Sequence, residues 1–133
     1  MDSEKPLILL VDDDNDDLEV LQETIAKINP VIKCETAKNG FDALIALDKL
    51  VQLPRIIFLD VNMPRMNGKE CLTKIRSNPK LTDLPIIMYS TAFDEEFLKT
   101  KGPNLMFMEK QTSMHVMLNE IREVVERFFP YDE

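Results

Sequence analysis

Four places in this 133-residue chain set reactive side chains directly after short apolar runs. Asp12-Asp13-Asp14 follow Pro6–Val11, and Asp60 ends the run Arg55–Leu59. Ser90-Thr91 follow Ile86–Tyr89, and Glu109-Lys110 follow Leu105–Met108. Carboxylates gathered at one place repel one another and lose hydration, so a positive charge has to sit among them. A hard, oxygen-seeking cation meets that need. Mg²⁺ suits best, with Mn²⁺ the alternative, because it takes one or two carboxylates and keeps waters that a phosphate can replace. Lys110 adds a fixed positive charge and Ser90 a hydroxyl donor. Together they make a phosphoryl-binding pocket with a carboxylate nucleophile in reach.

Such a pocket exists only if the four places lie side by side, and the spacing of apolar residues between them says that they do. Leu18, Leu21, Ile25 and Ile28 recur at three- and four-residue intervals, one helical stripe that Asn29-Pro30 stops. Val31–Ala37 alternates like a strand near an edge. After the Asn39-Gly40 turn, Phe41, Leu44, Ile45 and Leu47 form a second helical face, and Leu72 and Ile75 a third, ended by Asn78-Pro79. Phe93–Thr100 predicts a short fourth helix, stopped by Gly102-Pro103. Met114, Leu118, Ile121, Val125 and Phe128 line a long last one. Short apolar strands alternating with amphipathic helices predict an α/β fold, a doubly wound parallel sheet of about five βα units covered on both faces. Ligands of such sheets bind outside the carboxyl ends of the strands, where the reactive residues stand.

Composition narrows the function. The chain carries 16 Lys+Arg against 24 Asp+Glu, a formal charge of −8, which argues against direct binding to a DNA backbone. No apolar run approaches the roughly 20 residues a membrane span needs, and Met1–Lys5 is charged rather than signal-like. Cys34 and Cys71 have no metal-ligand spacing and read as reduced thiols of a cytoplasmic protein. One domain over residues 1–133 is expected, with its core at about 6–128 and no output domain.

Four segments in this order resemble the response-regulator receiver family of two-component signalling. They are Leu9-Leu10-Val11-Asp12-Asp13, the block Phe58-Leu59-Asp60-Val61-Asn62-Met63-Pro64-Arg65-Met66-Asn67-Gly68, Ser90 and Lys110. The resemblance covers nearly the whole chain. It implies a flavodoxin-like (βα)5 fold with strand order 2-1-3-4-5. It also implies that Asp60 is the phospho-acceptor. Asp13 and Asp60 would hold the metal directly, Asn62 through its backbone carbonyl and Asp12 mostly through water. Lys110 would pair with the acidic pocket and then with the phosphoryl group. Ser90 would move to meet a phosphoryl oxygen, Phe107 would turn inward as it moves, and Thr91 lies where access to the site is tuned. The implied partners are a sensor histidine kinase or phosphotransfer protein and a downstream protein contacted through the face of helix 4, strand 5 and helix 5. Self-phosphorylation and self-dephosphorylation would be the only catalysis.

Two features depart from that pattern. Lys110 is followed by Gln111 where the family has proline after a cis bond. A cis bond before a non-proline residue costs about 2.5–4 kcal/mol, so a trans bond with a changed loop is expected. Thr91–Pro103 is tight for a full fourth helix with its connections. The first departure keeps a second reading in view, a degenerate receiver that binds constitutively. A third, an aspartyl-phosphate phosphohydrolase, is disfavoured because Asn62 stands where a second acid is needed.

Several residues are better given plain roles. Asp12, Asp14, Asp16 and Glu23 partly match a calcium loop, but its sixth position needs glycine and is Asp17. Asp14, Asp16 and Asp17 read instead as the cap and dipole-facing acids of the first helix. His115 reads as a surface residue, Met114 and Met117 as core or adaptable interface, and Phe128 as core. Phe129 and Tyr131 are candidates for a homodimer or partner surface.

Overall fold

The computed structural model describes residues 6–91, 104–110 and 113–130. The segment read as a fourth helix, the Lys110–Gln111 bond and Tyr131 lie outside the described residues. In chain order the elements are β1 (Leu7–Val11), α1 (Asn15–Ile28), β2 (Lys33–Ala37), α2 (Gly40–Lys49), β3 (Ile56–Asp60), α3 (Gly68–Arg76), a 3₁₀ turn (Pro79–Leu81), β4 (Ile86–Ser90), β5 (Leu105–Glu109) and α4, the long last helix (Met114–Phe128). All strand pairs are parallel, in the order β2-β1-β3-β4-β5. The doubly wound α/β expectation holds.

The three central strands are buried along their whole length, and alternate residues feed two separate cores. Ile8, Leu10, Phe58, Ile87 and Tyr89 pack with Leu18, Leu21 and Ile25 of α1 and Ile121 and Val125 of α4. Leu9, Val11, Ile57, Leu59 and Met88 pack with Ala43 and Leu47 of α2 and Cys71, Leu72 and Ile75 of α3. A side chain buried this way contributes about 1.5–3 kcal/mol, so neither face of these strands tolerates a polar residue until the strand ends.

Helix starts are set by side chains that meet free backbone N–H groups. Asp14 caps α1, accepting from Asp16 N at 2.8 Å. Asn39 caps α2. Asn67 and Glu70 form a reciprocal capping box on α3. Asp14's capping role is therefore as expected.

Two helical faces are corrected. On α2 the buried stripe is Gly40, Ala43 and Leu47, while Phe41 and Ile45 are exposed. Leu47 faces inward as expected and Leu44 is half-buried, but the close approach of Met66 to Gly40 leaves Phe41 on the outside, where it lies under the Arg65 guanidinium, 5.8 Å from its ring centre. On α4 the buried residues are Met117, Ile121 and Val125; Leu118 and Phe128 are half-buried and Met114 is exposed. Phe129, a partner-facing candidate from the sequence, is instead buried in the first core beneath Arg55, 5.1 Å from the guanidinium carbon. His115 is exposed, and both cysteines are free thiols whose burial pushes each pKa up to about 11.

Candidate functional site

Parallel strands bring their carboxyl ends to one rim, and register decides which ends touch. Val11 pairs with Leu59, so Asp12 lies beside Asp60. Asp60 pairs with Tyr89, the residue before Ser90, and Ser90 pairs with Glu109, the residue before Lys110. Backbone hydrogen bonds continue the ladder past the strand ends: Asp12 N to Ala37 O at 3.0 Å, Val61 N to Tyr89 O at 3.2 Å and Lys110 N to Ser90 O at 2.8 Å. The reactive side chains therefore stand on rigid backbone.

Asp12 and Asp60 are both buried, with 1% and 2% of their surface exposed, while Asp13 is exposed. Carboxylate oxygens of all three lie within 4.8 Å of one another. The Lys110 ammonium enters this cluster, 3.2 Å from Asp12 Oδ2, 3.4 Å from Asp60 Oδ1 and 2.9 Å from Asp17 Oδ2. The direction of Lys110, left open by Gln111, is thus into the pocket. Asp60 Oδ1 also accepts from the Asn62 backbone N–H at 3.3 Å. The Asn62 side chain turns the other way and donates to Ser90 Oγ at 3.2 Å. Ser90 is buried, Thr91 is exposed just past β4, and Phe107 is half-buried on β5 against the second core. Thus Asp12, Asp13, Asp60 and Lys110 form one cluster and Ser90 joins it through Asn62, whereas Phe107 packs against the second core and Thr91 is tied to the site only as the residue after Ser90.

The residues fit a hard cation. Asp12 Oδ1 accepts from Asp14 N at 2.9 Å, but Oδ2 is buried and has no hydrogen bond. The Lys110 ammonium 3.2 Å from it offers a compensating charge. A buried carboxylate oxygen with so little around it is costly to leave ionised without a further cation. Two further carboxylates beside it make an all-oxygen set of the kind Mg²⁺ and Mn²⁺ prefer.

The same crowding shifts the titrations. Burial pushes Asp12 up to about 7, helped by the neighbouring Asp60 charge and opposed by the Asp14 N–H and Lys110. Burial also raises Asp60, against the pull of Lys110. For Lys110, burial alone would lower the pKa; the hydrogen bond to Asp17 and the charges of Asp12 and Asp60 outweigh it and raise the value. Asp12 is therefore protonated in the folded chain and ionised in the unfolded one between its ordinary 3.8 and about 7. At Asp12 the unfolded state binds fewer protons in that window, so its contribution to metal-free stability falls as pH rises through it. Denaturant melts are expected to show this slope, and to show it much reduced in Asp12→Asn, which should also be more stable than wild type at pH 8. Excess Mg²⁺, which needs ionised carboxylates, should stabilise the wild type more at pH 8 than at pH 5. A wild-type curve that rises between pH 5 and 7 without metal contradicts the assignment.

Three contributors to the site are not evident from the sequence. Asp17 reads there as a dipole-facing acid, but it is the hydrogen-bond partner of Lys110. Tyr89 reads as strand core, yet its ring centre lies 5.1 Å from the Lys110 ammonium. Gly68 closes a motif without a role of its own; a Cβ there would lie 2.3 Å from the Asp60 carbonyl oxygen. Tyr89 and Asp17 carry a signal, since each sits close to a pocket residue in sequence, but nothing in the spacing says that they meet.

Residues 8–122 match the family described as the response regulator receiver domain. The chain belongs to that family. It is therefore a receiver domain of two-component, phosphorylation-based signalling, and the family, the fold and the strand order expected from the sequence all hold. Among curated relatives, PilG of Pseudomonas aeruginosa is 33% identical over 122 residues, covering 88% of this receiver and 88% of PilG. Among solved structures, the phosphorylated cyanobacterial phytochrome response regulator RcpA superposes with a TM-score of 0.85 at 23% identity, covering 98% of each chain. The Mn²⁺-bound form of response regulator Rcp1 superposes with a TM-score of 0.80 at 22% identity, over 97% of this chain and 98% of Rcp1. At those identities the two structures speak for the fold. Among the described residues of the receiver, no helix is long and apolar enough to cross a membrane.

Proposed function

We propose that this receiver is a phosphorylation-dependent switch or phosphorelay intermediate, in which Asp60 takes a phosphoryl group from a histidine kinase, a phosphotransfer protein or a small phosphodonor. The observation that carries the reading is the meeting of the Asp60 carboxylate with Asp12, Asp13 and Lys110 at one strand rim. Asp60 is at the end of a rigid strand, so its carboxylate is presented in a fixed place for attack. An Asp60 oxygen forms a bond to phosphorus as the bond from phosphorus to the donor breaks; a phosphohistidine donor leaves as imidazole and takes up a proton. Asp13, Asp60 and the Asn62 carbonyl would hold Mg²⁺ or Mn²⁺ directly, with Asp12 acting through water. Bound there, the cation neutralises the carboxylates and the incoming phosphoryl oxygens.

The protein's own groups do the rest. Lys110 places its ammonium within 3.4 Å of the nucleophile, where it can stabilise the charge of the transferring group. Ser90 has its hydroxyl held by Asn62, and moving to a phosphoryl oxygen would exchange that bond for a charge-assisted one. The exchange supplies the differential contact that a population shift requires. Phe107, half-buried and paired with Met88, would turn inward as Ser90 moves, and Thr91, exposed next to Ser90, would tune access to the site. Readout is by protein contact. The reach of Lys110 into the pocket counts against a degenerate module.

The test is intact mass after incubation with Mg²⁺ and a small acyl phosphate. Wild type is expected to gain one phosphoryl mass and Asp60→Asn none. An adduct of equal yield on both would remove Asp60 from the role. No adduct on wild type, together with no binding of beryllofluoride, would remove the switch.

A further inference from the structure

We infer that Asp17 and Tyr89 form a second seat for the Lys110 ammonium, one that competes with the phosphoryl group and so sets how readily Asp60 is loaded. The inference rests on the proposed phosphoryl chemistry of Asp60 and adds its regulation. Of the three acids around Lys110, Asp17 is the nearest and accepts a hydrogen bond from it at 2.9 Å, against 3.2 Å to Asp12 and 3.4 Å to Asp60. Asp17 stands on the first turn of α1, outside the cluster of Asp12, Asp13 and Asp60. The Tyr89 ring lies on the same side, in the core shared with α1, with its centre 5.1 Å from the ammonium. Phe58 fixes that ring edge-to-face at a centroid distance of 6.5 Å. A cation held by a carboxylate and an aromatic face is stabilised by both. In this seat the ammonium is already 3.4 Å from Asp60 Oδ1, so it needs only a short movement to exchange one for the other. Whatever holds it in the seat is lost when it turns to a phosphoryl oxygen, and that loss weakens phosphoryl binding by the same factor.

The charge of Asp17 also repels anions at a distance, so the test must separate the seat from simple charge removal. Asp16 is exposed, carries the same charge on the same helical turn, and has no contact with Lys110 among the described interactions. Beryllofluoride affinity in excess Mg²⁺ is measured by titration calorimetry for wild type, Asp17→Asn, Asp16→Asn and Tyr89→Leu. Asp17→Asn is expected to bind about fivefold more tightly than wild type, a discounted figure for a charged hydrogen bond at a partly exposed site. Asp16→Asn should change by less than about twofold, and Tyr89→Leu should tighten binding about threefold. Asp17→Asn replaces a partly exposed residue outside the core and keeps the readout available if Tyr89→Leu misfolds. Equal shifts for Asp17→Asn and Asp16→Asn, or no shift for Asp17→Asn, overturn the seat while leaving the phosphoryl switch intact. Failure of wild type itself to bind beryllofluoride overturns the switch, and the seat with it.

Discussion

Lys110→Ala is expected to slow phosphoryl uptake at Asp60 by roughly 10²-fold and to make the metal-free protein less stable at pH 8. The rate loss follows from removing the one ammonium beside the nucleophile among the described residues; deleting a single preorganised donor of this kind costs about 10²–10³ in rate. The stability loss follows from what stays behind. Asp12 and Asp60 remain buried within reach of each other and Asp17 loses its hydrogen-bond partner. Breaking a buried ion pair costs about 3–5 kcal/mol when the surviving charge cannot escape. Here it can, because Asp12 already lies at about 7 and takes up a proton once Lys110 is gone, so about 1–2 kcal/mol is the expected loss. The escape sets the pH dependence. At pH 5 the acid is protonated in both proteins and the difference should shrink; at pH 8 it should be largest. Mg²⁺ should recover part of the loss at pH 8, since it supplies the missing positive charge. Urea melts at the two pH values, with and without Mg²⁺, read the stability, and the mass assay reads the rate. A variant as stable as wild type at pH 8, or loaded at the wild-type rate, would mean that the contacts of Lys110 carry no energy.

The layout of the fold is legible in the sequence because each strand is a short apolar run that ends on a polar residue. Leu7–Val11 followed by Asp12 is short enough to fit a strand with both faces buried, stopping where the acid begins, and the structure has it so. Parallel winding then forces the polar ends onto one rim, which is why the apolar runs alone suffice to place Asp12, Asp60, Ser90 and Lys110 together. The orientation of α2 is not legible. Phe41 and Ile45 outweigh Gly40 and Ala43 in hydrophobicity, yet the two small residues face inward beside Leu47, with Met66 packed close against Gly40. Periodicity counts apolar side chains and cannot weigh the space on the other side. Phe129 misleads for a related reason: a residue just past a helix reads as a frayed end unless the cation above its ring, Arg55, is known. The hydrogen-bond partner of Lys110 is hidden because Asp17 and Lys110 are 93 positions apart. Any of three acids at the start of α1 could face the pocket, and only the helix's rotation selects Asp17.

Gly68→Ala is expected to cost about 3 kcal/mol, at the upper end for overpacking, and to slow loading of Asp60 by at least tenfold. The added Cβ would lie 2.3 Å from the Asp60 carbonyl oxygen and 2.7 Å from Val61 Cα. Both are backbone atoms, and one belongs to the residue that carries the nucleophile. Neither side can yield. Asp60 is locked into the ladder, with Val61 N bound to Tyr89 O at 3.2 Å. The start of α3 is locked by the Asn67–Glu70 capping box and by Gly68 N bound to Val61 O at 2.9 Å. Relief therefore has to displace Asp60 or break a cap, and misplacing a reacting group by about 1 Å can cost 10²-fold in rate. Gly40→Ala supplies the contrast. Its Cβ would meet Met66 Sδ at 2.7 Å and Cγ at 2.9 Å, the flexible part of a side chain that can adopt another rotamer. A loss of about 1 kcal/mol and near-normal loading are expected there. Denaturant melts and the mass assay on both variants decide the matter. Equal losses in the two would mean that the β3–α3 loop yields as easily as a methionine side chain, and that Asp60 does not depend on Gly68 for its position.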